Sequence, residues 1–381
     1  MSDSILKVMS DINKHFGKSV MHSASEMPYI DRLKCGVPVI DYIMGGGFAI
    51  NRMTELYGPW SSTKSMLAYL ALGAGQRFDW LNKICDGISD VKYKRSVIKT
   101  KVDKDTIEQD FFEITGWKGV KKDSAYRRSV LIDYEATYDK KWGETLGIDN
   151  KGLIRIVPDR GSELVDIVET LLSDPSIGII VIDSVGAASS DLEIDASAED
   201  EQMGVNARFW NKAMRKFQSA INTNPENYIT PIIINRPYAK IGMVFGIPEE
   251  TSSGSGLKFG KAVSVRLTPL APLKQEYRGE KEVEVGRMIR AKCVKNKTAR
   301  PYLEGEFYLS FVDDGTLKPG EVDRVSQLVA LGIKEELVSR AGAFYQYGEH
   351  KKIQGREAFS NWLRDSGLAN ELESKIFTNI G

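Results

Sequence analysis

The chain has 381 residues, 42% of them hydrophobic and 27% charged, which excludes a disordered polymer and is too long for one minimal domain. Lys plus Arg and Asp plus Glu are equal at 52 each, so no global basic field announces a nucleic-acid partner, and any such site has to come from local clustering. Three cysteines without a CxxC pair and three histidines without ligand spacing speak for a reducing cytoplasm and against zinc. Without an apolar signal core or a run of about 18 apolar residues, neither secretion nor membrane insertion is expected.

From Ser2 to about Gly17 the apolar residues Ile5, Val8, Met9, Ile12 and Phe16 form a helical stripe. It is too short to fold alone and is expected to pack on something else, such as a neighbouring subunit. Next, the run Met53 to Tyr57 predicts a strand feeding Gly58-Pro59-Trp60-Ser61-Ser62-Thr63-Lys64-Ser65 and then a helix. Such a loop points backbone N–H groups at the β and γ phosphates of a nucleoside triphosphate, Lys64 adds a point charge and the Ser65 hydroxyl can ligate Mg²⁺. Thr63 departs from the pattern, because the residue before the lysine is normally Gly with free backbone torsions. The competing reading is a Ser-rich turn capping a helix.

Between Arg77 and Arg128 lies a stretch with 13 Lys/Arg against 9 Asp/Glu and the aromatics Trp80, Tyr93, Phe111, Phe112, Trp117 and Tyr126. It is far longer than an ordinary connection and reads either as an added DNA or filament contact or as a self-contained surface excursion. Val130 to Glu135 and Ile179 to Asp183 then predict buried strands ending in acids. A carboxylate at the C-terminal edge of a parallel strand faces the same crevice as the phosphate loop, so Glu135 is the candidate base for an attacking water and Asp183 the metal-side carboxylate.

Gly204 to Gln218 reads as a helix carrying Arg208, Lys212 and Arg215 on one stripe beside Phe209, Ala213 and Phe217. Three cations in a row suit a phosphate backbone, and equally a solvated basic face. Pro231 to Asn235 is a predicted strand, followed from Arg236 to Gly256 by a Gly-rich loop holding Ile241, Gly242, Met243, Phe245 and Gly254. Apolar residues on such a loop call for a partner that orders it, for example bases between which they wedge. From Pro319 onward the pattern reads as purely helical, with Val322, Val325, Leu328, Val329, Leu337, Val338, Phe359, Trp362, Leu363, Leu372 and Ile376 as buried positions of a small α/β or helical satellite domain. The expected fold is α/β, a phosphate-loop core with a mainly parallel sheet, bounded as residues 1–35, 36–316 with the insertion at about 77–128, and a small domain at 317–381.

Over nearly the whole chain apart from the insertion, these residues resemble the bacterial RecA recombinase family. Gln202-Met203-Gly204-Val205-Asn206-Ala207-Arg208 with Ala213-Met214-Arg215-Lys216 is similar to that family's first DNA loop and the helix after it. Lys240 to Glu249, ending at Leu257-Lys258-Phe259, is similar to the second; Val294-Lys295-Asn296-Lys297 resembles the segment that reaches a neighbour's ATP, and Leu328 to Tyr345 the C-terminal domain. The resemblance implies a DNA-dependent ATPase using ATP and Mg²⁺, which forms helical filaments on single-stranded DNA and exchanges strands with duplex. Single-strand-binding and loader proteins are implied partners, and no membrane.

By position the resemblance gives Lys64 and Ser65 phosphate and Mg²⁺, Glu135 the water, Asp183 the metal, Asp139 and Trp142 the adenine, and Arg290 and Lys292 the secondary DNA strand. Met203, Gly204, Arg208, Arg215, Ile241, Gly242, Met243, Phe245 and Gly254 fall on the primary strand, and Lys295 and Lys297 act in trans. Arg236 stands where the family places a sensor glutamine. Thr63 and the lack of an acidic tail favour a phage- or plasmid-encoded member, working in the bacterial or host cytoplasm. A DNA-coating paralogue with weak hydrolysis stays open on Thr63 and Arg236; a hexameric helicase or kinase is disfavoured by the two DNA loops and the C-terminal segment.

Overall fold

Strict alternation of apolar residues along the strands splits the interior into two layers. Leu131, Ile179, Val181, Ile232 and Ile234 face one core with Leu67, Ala68 and Leu72, whereas Val130, Ile132, Ile180, Ile182 and Ile233 face another with Leu164, Val168, Trp210 and Phe217. That is the period-two pattern of a sheet covered by helices on both faces. The computed structural model describes residues 3–16, 29–78, 80, 92–102, 105–116, 127–160, 163–188, 202–223, 227–239, 249–251, 254–313 and 317–380. Met1–Asp31 forms one unit and Arg32–Gly381 the other.

The central sheet runs Glu304–Ser310, Glu280–Asn296, Val263–Tyr277, Thr54–Tyr57, Thr230–Asn235, Ile177–Asp183, Arg128–Asp133, Leu153–Ile156, eight strands in that order. The first three strands are joined antiparallel and every later pairing is parallel. Parallel register (Tyr57 opposite Asn235, Ile182 opposite Ile233, Asp133 opposite Asp183) therefore brings the residues following four strands to one sheet edge. Ligands bind at that edge in open α/β sheets.

The N-terminal helix spans Asp3–Phe16 and exposes Ile5, Val8 and Phe16. In the insertion, Lys92–Val102 and Asp105–Gly116 pair as an antiparallel hairpin. Trp80 is fully buried, and its Nε1 donates to Gly75 O at 2.8 Å, so this aromatic belongs to the core and not to a contact surface. The C-terminal segment is not purely helical. Helices Arg324–Lys334, Arg356–Asp365 and Leu368–Asn379 accompany a three-stranded antiparallel sheet of Val338–Ala341, Phe344–Tyr347 and Ile353–Gln354. Tyr345 and Tyr347 alternate inward, and Gly342 takes φ +59° in the two-residue turn, a local pattern that outweighs helical spacing. Among the described residues no helix is long and apolar enough to cross a membrane.

Candidate nucleotide site and DNA-facing elements

Gly58 begins the loop where a Cβ would sit 2.1 Å from Leu267 O of the adjacent strand, so only glycine lets the chain turn there. Ser61 and Thr63 both take left-handed torsions, φ +56° and +62°. Thr63 thus adopts the conformation that glycine supplies without strain, and the helix Lys64–Arg77 starts immediately after it. A β-branched residue held there costs about 1–2 kcal/mol, of which added chain entropy of glycine takes back less than half. Thr63→Gly is accordingly expected to raise stability by about 1 kcal/mol in urea denaturation; an unchanged or lowered midpoint would contradict the strain.

Lys64 is buried and donates from Nζ to Gly58 O at 3.0 Å, Pro59 O at 2.8 Å and Ser62 Oγ at 3.2 Å. Burial, followed by the charge of Arg236, pulls its ammonium down to about 8. Ser65 Oγ donates to Asp183 Oδ2 at 2.7 Å. Burial, reinforced by Glu135 and Asp133, lifts the Asp183 carboxyl to about 6 against the Ser65 hydrogen bond. A hydroxyl and a carboxylate side by side are the two protein oxygens that Mg²⁺ takes when substrate phosphates and water complete its shell, so these residues fit that ion.

Glu135 lies two residues beyond its strand, not at its end as the sequence pattern suggests. Its Oε1 accepts from Ser184 Oγ at 3.1 Å and from Arg236 Nη2 at 2.5 Å. The Arg236 guanidinium lies 3.8 Å from the ring centroid of Trp60, an aromatic that is 73% exposed on the loop. Asp133 pins the turn that holds Glu135: it accepts from Thr137 N and Tyr138 N and from Arg155 Nε and Nη2. Trp60, Lys64, Ser65, Glu135, Asp183 and Arg236 line a cleft of about 410 Å³ that also includes Arg287 and Phe311. That is within the range of small-ligand sites.

Four of the expected site residues, Asp139, Trp142, Lys295 and Lys297, lie outside the lining of this cleft. The Asp139 carboxylate caps the helix Lys140–Thr145 by accepting from Trp142 N at 2.7 Å, and the Trp142 ring packs half-buried on the core. Phe311 joins Trp60 as an aromatic on the cleft wall, with no signal in the sequence beyond its place after an edge strand. Lys295 and Lys297 lie away from their own chain's cleft. Lys295 Nζ donates to Lys258 O at 2.6 Å and Lys261 O at 2.7 Å, and Lys297 Nζ to Phe259 O at 3.1 Å, satisfying carbonyls at the C-terminus of the helix Gly254–Gly260. Burial and the neighbouring lysines pull Lys295 down to about 8.

Beneath them Glu55, fully buried, ion-pairs with Lys261 and accepts from Ser264 Oγ and from Asn235 Nδ2 at 3.0 Å. This network ties the strand before the phosphate loop to the residue before Arg236.

Arg208, Lys212 and Arg215 are all exposed on the helix Gln202–Thr223, while Ala213 and Phe217 are buried, so the basic stripe faces outward as its spacing predicts. Met203 and Gly204 fall in the first turn of that helix. The long loop is shorter than its sequence suggests: Pro237–Ala239 pairs with Glu249–Thr251, and Gly254 opens a helix instead of lying in a loop. Ile241, Gly242, Met243 and Phe245 lie outside the described residues. Arg290 and Lys292 sit opposite Glu306 and Glu304 on the neighbouring strand and pair with them at 2.7 and 3.4 Å. The local charge there is balanced, not basic, and a phosphate would have to displace surface ion pairs of about 0–1 kcal/mol each.

Comparison with known proteins gives one answer. The model of the RecA N-terminal domain matches residues 120–315 and that of the RecA C-terminal domain residues 326–381. The Protein RecA of Sulfurimonas denitrificans is 32% identical over 379 residues, covering 98% of this chain and 92% of the relative. That of Wolinella succinogenes is 31% identical, covering 98% and 90%, and that of Leptospira meyeri 30% identical, covering 97% and 80%. The N-terminal model begins beyond the phosphate loop and most of the insertion, so the similarity there rests on the full-length relatives. With a parallel sheet that gathers Lys64, Ser65, Asp183 and Glu135 at one edge, this chain belongs to the RecA family of recombinases.

Proposed function

We propose that the protein is a DNA-dependent ATPase that polymerises on single-stranded DNA and there pairs and exchanges homologous strands. The observation that carries this reading is the single cleft in which Lys64, the Ser65–Asp183 pair and Glu135 meet. Lys64 and the loop N–H groups bind the β and γ phosphates, and Ser65 with Asp183 hold Mg²⁺, which when bound neutralises phosphate oxygens. Glu135, oriented by Ser184, takes the proton of the attacking water. Arg236 occupies an oxygen of Glu135 in the nucleotide-free cleft and turns towards the γ-phosphate as ATP enters, which frees that oxygen for the water. Lys295 and Lys297, which face away from their own cleft, serve the ATP of the next subunit, and the exposed stripe of the N-terminal helix is a filament contact. Single-strand-binding and loader proteins act as partners in the cytoplasm. ATP turnover measured with and without single-stranded DNA tests the reading: strong stimulation is expected, and equal rates would overturn it.

The protonation states give a pH window. Below about 6 Asp183 gains a proton and loses the charge that holds a cation; above about 8 Lys64 loses the charge that meets phosphate. Affinity for MgATP is therefore expected to be flat between these values and to fall on either side. Calorimetric titration from pH 5 to 9 checks this, with Asp183→Asn expected to lose the acid limb; constant affinity to pH 9 would contradict the role of Lys64.

For DNA, Arg208→Ala and Arg215→Ala are each expected to lower the slope of log affinity against log salt by about 0.7, the single-strand value per phosphate contact. Slopes equal to that of the unaltered protein would make the stripe a solvated face.

A further inference from the structure

We propose that Arg287 is a nucleotide-contacting residue, the second of two guanidinium groups that flank the apex of the phosphate loop and meet the polyphosphate within one chain. The inference rests on the nucleotide reading of the cleft. Arg236 stacks on Trp60, and Arg287 Nη1 donates to the carbonyl of the next residue, Ser61, at 3.3 Å. Both line the same cleft as Lys64. Arg287 is carried by the strand Glu280–Asn296, second in the sheet, which comes beside the loop because Val263–Tyr277 pairs both with it and with Thr54–Tyr57, the strand that leads into the loop.

The local backbone is built for this placement. Between the pairs Pro269–Ile289 and Pro272–Arg287, two residues of one strand face Met288 alone, a bulge of the kind that re-aims side chains beside active sites. The Arg287 side chain is 20% exposed. A guanidinium this far withdrawn from water needs strong partners. Its carboxylate is Glu284, bonded to Nε at 2.6 Å and Nη2 at 2.5 Å, while its contact with Ser61 O is long. The second nitrogen face is thus weakly held and turned towards the loop, where phosphate oxygens offer the bidentate acceptor that arginine prefers. Lys295 and Lys297 are engaged elsewhere in the same chain, so Arg236 and Arg287 are the cations with which a single subunit supplements Lys64. A triphosphate drawn to Arg287 competes with Glu284 for it, and Glu284 therefore tunes affinity downward.

ATP affinity is measured by calorimetry without DNA for the unaltered protein, Lys64→Ala, Arg287→Ala, Arg287→Lys and Glu284→Gln, with thermal unfolding of each nucleotide-free protein alongside. Arg287→Ala is expected to bind about tenfold more weakly, the loss of one charge-assisted hydrogen bond, and Arg287→Lys to fall between. Glu284→Gln is expected to bind more tightly, a change of sign that a merely structural pair cannot produce. If Lys64→Ala binds weakly but Arg287→Ala binds as the unaltered protein does, Arg287 is not a nucleotide contact while the nucleotide reading stands. If Arg287→Ala and Glu284→Gln weaken binding alike, the pair only braces the strand and the proposal is overturned. Unchanged affinity in Lys64→Ala would instead overturn the nucleotide reading itself.

Discussion

Glu135→Gln is expected to lower ATP turnover by about 10²- to 10⁴-fold, the usual contribution of a positioned base, while ATP and DNA binding persist. The amide still fits beside Ser184 and can hold a water, but it cannot accept the proton. It also releases Arg236, whose pairing with Glu135 bridges the cleft mouth, so ATP affinity is expected to hold or rise. Single-turnover hydrolysis together with a binding titration separates the two effects. Wild-type turnover would place the base elsewhere, and lost binding would make Glu135 a structural residue.

The second large effect concerns Lys295 and Lys297. Replacing both by Ala is expected to leave ATP binding by the isolated subunit nearly intact and to remove DNA-stimulated hydrolysis, since charge supplied to a neighbour's transferring phosphoryl group is worth about 10³- to 10⁵-fold. Because both amines also satisfy carbonyls at the end of the helix Gly254–Gly260, some loss of stability accompanies the change. Arg at both positions keeps the charge and the donors and is the control for that loss.

Much of this site could be read from the sequence because its parts are local. Apolar runs of five or six residues ending in an acid, and a Gly-to-Ser loop before a helix, each specify strand, turn and exposed end without knowledge of what lies beside them. The parallel pairing of Asp133 with Asp183 and of Tyr57 with Asn235 then does the assembling. Arg287 was hidden for the opposite reason. Within Val283-Glu284-Val285-Gly286-Arg287 it looks like one more solvated position of an alternating strand, and only sheet order and a bulge carry it to the loop. Asp139 also carries a local structural signal: an Asp three residues before the amide it accepts from is an N-cap. The C-terminal strands were missed because they are short and mostly exposed, although glycines with positive φ at Gly342, Gly348 and Gly355 punctuate them. The two carboxylates that neutralise Arg290 and Lys292 come from another strand, which no spacing along one strand reveals.

The central claim is that one ATP is served by residues of two subunits, and mixed filaments test it most directly. Glu135→Gln protein lacks the base but presents intact Lys295 and Lys297; the double Lys→Ala protein keeps the base but presents neither amine. Co-assembled on single-stranded DNA, the two are expected to form junctions where an intact base meets intact lysines, and hydrolysis should rise above that of either protein alone, with the greatest recovery near equal proportions. Hydrolysis that stays at the sum of the two separate proteins at every ratio, in filaments shown to contain both, would contradict the shared site.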